Sequence, residues 1–183
     1  MNSLQADIVS FAGEVLSKER LTNSIVEKLG AGGYTPVEIV IDKPWGAFIR
    51  LQNDDANAFI AEFFPGLTLE EARLGVEEAE LSPKILIVSP HERLSWQYHD
   101  RRAERWAFLT RGAYHKSMTD DEGALLQAHP GAVVQFAQGE RHRLVGVEDE
   151  FVIVAEIWQH TDADRPSDED DIVRLHDQYG RVR

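Results

Sequence analysis

The sequence predicts an all-β protein, an antiparallel sandwich or barrel with helix only at its start, in one insertion and near its end. Three observations predict it. From residue 37 onward, short β-rich runs recur at intervals of about ten residues. Gly, Pro, Asp and Asn punctuate them, as in DDEG and HPG. No long helical stretch separates one run from the next, unlike the alternation of a parallel α/β sheet.

The chain opens differently. Over residues 4–29, LQADIVSFAGEVLSKE sets Leu4, Ile8, Phe11, Val15 and Leu16 at helical spacing, and SIVEKLG follows with Gly30 as a stop. AGGYTP is a linker, so residues 1–36 form an N-terminal helical extension and residues 37–183 the barrel. Expected strands are VEIVI, GAFIRL, AFIAEFF (58–64), KILIV, LSWQYH, RWAFL, AYHKSM, ALLQA, AVVQF, HRLVGV and EFVIVAEIW. TLEEARLGVEEAE (68–80) interrupts them as a surface helix, and EDDIVRLHDQY reads as a short C-terminal helix. The N-terminal extension is expected to cover the barrel mouth, cap a sheet edge against pairing, or join a dimer interface.

Composition bounds the function. With 43% hydrophobic and 28% charged residues, the chain is typical of a globular protein. It has no apolar run of the roughly 20 residues a membrane helix needs. The start, MNSLQADIVSFAGEV, lacks the basic residues and apolar block of a signal peptide. A cytoplasmic protein is therefore expected. Without cysteine, neither disulfides nor thiolate metal sites are available. A net charge of −13 disfavours nucleic-acid binding, which needs basic surface to neutralise phosphates. Arg93, Arg101, Arg102, Arg105 and Arg111 nevertheless cluster, which suits a small anionic ligand.

That cluster surrounds LSWQYHDRRAERW, residues 94–106. Alternate strand residues share a face, so Gln97 and His99 point one way and Trp96 and Tyr98 the other. Glu104, beyond a turn at DRRA, can begin the antiparallel partner strand and bring its carboxylate to the same face. Gly139 then leads into His142 on a later strand. A lone histidine means little; Gln-x-His-x4-Glu followed by Gly-x-x-His is far more specific.

These two stretches resemble the paired motifs of the cupins, small β-barrels (double-stranded β-helix or jelly-roll) that hold a divalent metal inside. Within the cupins, residues 94–106 are similar to the first motif of the type II mannose-6-phosphate isomerase domain. KPWGAF (43–48) resembles that family's opening Arg-Pro-Trp-Gly, with Lys43 for arginine, and EDDIVRLHDQYGR (169–181) its closing signature. The resemblance runs from about 43 to 181 and includes nothing of the nucleotidyltransferase found in bifunctional relatives. It implies metal ligands at Gln97, His99, Glu104 and His142, with zinc first and manganese, iron, cobalt or nickel compatible with such donors. It also implies an aldose–ketose isomerase, a sugar-phosphate substrate and a homodimer. The sequence departs from the pattern at the rim: His91 for a glycine, Asp100 and Arg101 where histidines are usual, Ala137 for a proline, and an insertion at 65–80.

Such chemistry needs a base and an anion partner. Glu156, on the last long strand, is the spare carboxylate; Arg174, with Arg101 and Lys84, is expected at the substrate phosphate. The alternatives are an orienting role for Glu156, an ion pair from Arg174 to Asp170 or Asp171, and packing for Trp45 and Trp158. His91, His115, His129, His160 and His176 read as surface residues. At the level of function, the competitors are a non-catalytic metal-containing sugar-binding or regulatory cupin and an isomerase of a free sugar.

Overall fold

A computed structural model of the chain describes residues 3–14 and 16–181. The opening helix is broken in two: α1 (Ser3–Ala12) and α2 (Lys18–Ala31). Gly13 disfavours helix by about 1 kcal/mol relative to alanine, and Ser17 restarts it as an N-cap, its Oγ accepting from Arg20 N at 3.3 Å. Val15 lies outside the described residues. Gly30 does not stop α2; the helix ends at Gly32, whose N–H bonds to the Lys28 carbonyl.

Two expected elements change type. AFIAEFF is not a strand but lies in helix α3 (Ala56–Phe63), because Ala56, Phe59, Ile60 and Phe63 fall at helical spacing and are the buried face. EDDIVRLHDQY is not a helix; it contains strand β11 (Val173–His176), paired antiparallel with β4 (Trp96–Tyr98). The 68–80 helix shrinks to α4 (Leu69–Arg73), started by a Thr68–Glu71 capping box and ended at Leu74 in the left-handed region. It is not wholly a surface element, since Ala72 is fully buried.

The other strands follow the expected order: β1 (Pro36–Lys43), β2 (Gly46–Leu51), β3 (Lys84–Val88), β5 (Arg102–Phe108), β6 (Gly112–Ser117), β7 (Leu126–Ala128), β8 (Val133–Phe136), β9 (Arg141–Val145) and β10 (Val152–His160). They form two antiparallel sheets, β1-β2-β3-β10-β5-β8 and β11-β4-β9-β6-β7. Gly46 of KPWG has a steric reason: a Cβ there would lie 1.9 Å from the Ile87 carbonyl oxygen.

Side-chain alternation splits the core in two. Leu86, Val88, Trp106, Phe108, Val152 and Val154 meet Leu144 and Ala128 of the other sheet in the interior between the sheets. Their neighbours Ile85, Ile87, Ala107, Ile153, Ala155 and Ile157 pack outward against α1, α2 and α3. The N-terminal helices therefore cover the outer face of the six-stranded sheet, rather than an edge or the mouth. Among the described residues, no helix is long and apolar enough to cross a membrane.

Candidate metal centre

Residues 94–106 do not form the expected hairpin. β4 pairs with β9 and β11, whereas β5 pairs with β10 and β8. The chain crosses from one sheet to the other between Tyr98 and Arg102, so Glu104 faces His99 across the interior. Alternation on β4 holds as expected: Trp96 turns outward, its indole donating to the Asp120 carbonyl at 2.7 Å, while Gln97 lines the interior cavity. Gln97 sits in register with His142 of β9.

Three of the four expected ligands form one buried cluster: His99, Glu104 and His142. His99 Nε2 lies 3.1 Å from Glu104 Oε1, and His142 Nε2 lies 3.1 Å from Glu104 Oε2. Ligand atoms bonded to one ion at about 2.0–2.2 Å in a tetrahedron stand roughly 3.3–3.6 Å apart, so a metal fits with the side chains spread by a few tenths of an ångström. Gln97 lies beside them at the paired register position, its Oε1 accepting from Ser95 Oγ at 2.5 Å.

Tautomers test the fit further. His99 Nδ1 bonds to the Asp171 carbonyl, and His142 Nδ1 to the Glu140 carbonyl at 2.9 Å. A carbonyl only accepts, so each Nδ1 carries a proton and each ring turns its Nε2 toward Glu104. Glu104 Oε2 and His142 Nε2 are accordingly buried without a hydrogen-bond partner, despite their proximity. A cation between them, a metal ion or a proton on Nε2, would satisfy both atoms. Arg102 supplies part of that charge on the other side, with Nε 2.8 Å from Glu104 Oε1 and Nη2 3.3 Å from His99 Nε2. Burial lowers the His99 pKa, with Glu104 opposing and Arg102 adding. Burial works against the charge on Glu104, but His99, Arg102 and His142 beside it hold its carboxyl well below the usual range. The lowered pKa values of His99 and Glu104 favour neutral imidazole and carboxylate, the forms that bind a divalent ion.

Above this cluster is a cavity of about 380 Å³, whose lining includes Gln97, Glu104, Glu156, Lys84, Arg102 and Arg174. Glu156 is buried, accepts from Trp106 Nε1 at 2.9 Å, and is pushed up to about 7 by burial and by Glu104, with Lys84 opposing. Lys84 Nζ meets Glu169 at 2.8 Å and stands 3.9 Å from the centroid of Trp158. Arg102 approaches the same indole at 3.9 Å. Trp45 and Trp158 are therefore cavity-wall residues and not packing alone.

Arg101 is elsewhere. It donates to the Pro166 carbonyl and to Asp168, and Arg102 takes the cavity position instead. His160 is also not at the surface; it is buried, bonding Glu80 O and accepting from Ser167 N. Nothing in the sequence marked Arg102 as a contact of Glu104 or Asp171 as the residue that holds His99; they stood only as one of an arginine cluster and as an alternative partner for Arg174. Arg102 lay in plain view between His99 and Glu104; Asp171 lay in the closing signature.

No protein-family profile matches the chain, and no curated protein is similar to it. Solved structures are. The capsular polysaccharide assembling protein CapF from Staphylococcus aureus is 13% identical at a TM-score of 0.50, over 87% of this chain and 37% of that one. A Cupin 2 conserved barrel domain protein from Salinispora arenicola is 19% identical at 0.45, over 68% of this chain and 82% of that one. The fold is a double-stranded β-helix of two antiparallel sheets with added N-terminal helices. The chain spans little more than a third of CapF, at 37% of its length, and the likenesses stop at the fold.

Proposed function

We propose that the chain is a metal-dependent aldose–ketose isomerase acting on a phosphorylated sugar, with mannose 6-phosphate to fructose 6-phosphate the first candidate. One observation carries the reading. A buried carboxyl that is not in the ligand cluster, Glu156, lines the same cavity as Glu104, and Lys84 and Arg174 line it too.

A divalent ion held by Gln97, His99, Glu104 and His142, zinc first, would supply Lewis-acid polarisation of the sugar carbonyl. The chain's own residues do the rest. Trp106 holds Glu156 through Oε1, leaving Oε2 to take the proton from C2 of the aldose and return it to C1, while the hydroxyl proton on O2 passes to O1. A pKa near 7 suits both halves of that transfer. Arg174 and Lys84 bind the phosphate, the guanidinium by paired hydrogen bonds and the ammonium as a point charge. Arg101, tied down outside the cavity, drops out of the substrate set.

The test is proton exchange. Metal-loaded protein in deuterated water is expected to place deuterium at C1 or C2 of mannose 6-phosphate or fructose 6-phosphate, and a chelator to abolish it. Glu156→Gln should slow exchange by about 100-fold or more, the scale of a general base, with metal content near wild type. Exchange into free mannose or lyxose alone would move the substrate to an unphosphorylated sugar. If no sugar exchanges, the isomerase reading falls and a metal-containing sugar-binding module replaces it.

A further inference from the structure

We infer that Asp171 is the positioning residue of the metal site: the segment after β10 sets metal affinity although it contributes no ligand. The inference rests on the metal reading above and concerns what holds the ligands in place.

The chain has only residues 99–101 in which to pass from β4 in one sheet to β5 in the other. That crossing brings His99 and Glu104 together, and it leaves its own backbone donors without a strand to bond. Asp171, buried and about seventy residues downstream, takes them up. Its Oδ1 accepts from Asp100 N and its Oδ2 from Arg101 N, each at 3.0 Å. Its main-chain carbonyl accepts from His99 Nδ1 and, at 3.3 Å, from Arg102 Nη1. Ser167 Oγ braces Oδ2 at 2.6 Å.

One residue thus fixes the crossing, the rotation and tautomer of one ligand, and the arginine that contacts another. A carboxylate is required, because two backbone N–H groups approach its two oxygens and each needs an acceptor. Asparagine at this place would turn a donor toward one of them. The crossing would shift, and His99 would tilt away from Glu104 while all four ligands remained present. Outer partners of this kind change metal affinity by about 10–100-fold.

Cobalt(II) tests this, with affinity read by chelator competition and geometry by its visible absorption. Asp171→Asn is expected to bind cobalt about 10–100-fold more weakly than wild type, with an altered spectrum. Ser167→Ala, which removes only the brace, is expected to show a smaller loss of the same sign, and it decides the matter if Asp171→Asn does not fold. Asp162→Asn is the control: Asp162 accepts from Asp164 N and Arg165 N in an exposed turn of the same segment, and should match wild type. A folded Asp171→Asn protein with wild-type affinity and spectrum would overturn the inference, as would an unaltered Ser167→Ala where the first variant fails to fold. Wild-type protein that binds no cobalt would instead sink the metal site itself.

Discussion

The two sheets solve the same problem in opposite ways. Each has one face turned to the shared interior and an outer face to cover. The six-stranded sheet covers its outer face dry, with Ile85, Ile87, Ile153 and Ile157 packed under three helices. The five-stranded sheet uses charge. Arg143, at 2% exposure, bonds Glu122 at 2.6 Å and the His176 carbonyl at 3.0 Å, while Arg141 lies over Tyr98 and pairs with Asp120. Burial draws the Arg143 pKa below its usual value, with Glu122 opposing. A dry cover contributes through apolar area removed from water. A polar cover contributes little net energy but penalises any arrangement that breaks its pairs. The metal cluster joins the two, taking Glu104 from the dry-backed sheet and both histidines from the other side of the interior.

The comparison breaks or sharpens by measuring unfolding in urea. Ile85→Ala, which opens a cavity under the helices, is expected to cost about 2–5 kcal/mol. Arg143→Ala is expected to cost somewhat less, about 2–3 kcal/mol, because Glu122 is partly exposed and can take up water once its partner has gone. Arg143→Met should recover much of that loss, since an apolar replacement removes the desolvation cost along with the pair. If Arg143→Ala proves the more damaging of the two alanine variants, the charged cover contributes more than the dry one and the contrast is reversed.

The same contrast explains what could be read in advance. Strands β3 and β10 are buried on both faces, so KILIV and VIVAEIW are almost continuously apolar and legible as strands. AFIAEFF is just as apolar at strand length; read from Ala58 it is too short for a period to separate helix from strand, and the helical spacing shows only when Ala56 is included. IVRLH went the other way: its place as a strand depends on pairing with Tyr98 and Gln97, far off in the chain. The candidate ligands were legible because Gln97 and His99 follow the period of two, and a glycine turn led into His142. That Glu104 belongs to the opposite sheet was not legible, since spacing along a chain does not say which sheet a strand joins. Asp171 was hidden for the same reason, acting on His99 across 72 positions.

The smallest expected effect concerns pH, and it tests the cavity through stability alone. Glu156 in the folded protein is pushed from 4.5 up to about 7, chiefly by burial. Between those values the folded state therefore holds its proton while the unfolded state has released it. Stability from this group is fully present below about 4.5 and is lost as pH rises towards about 7, at no more than about 1.4 kcal/mol per pH unit. His99, with its pKa lowered, contributes the opposite slope, since there the unfolded state binds the extra proton. The quantity to measure is thus the stability of metal-free wild type minus that of Glu156→Gln, at steps from pH 4.5 to 7.5. The difference should fall with rising pH. Loading the metal should lessen the slope without abolishing it, because a cation at Glu104 offsets that carboxylate's repulsion while burial, the larger cause, remains. A flat difference in the metal-free protein would mean that Glu156 is ionised throughout, with Lys84 outweighing burial, and would remove its fitness as a base near neutrality.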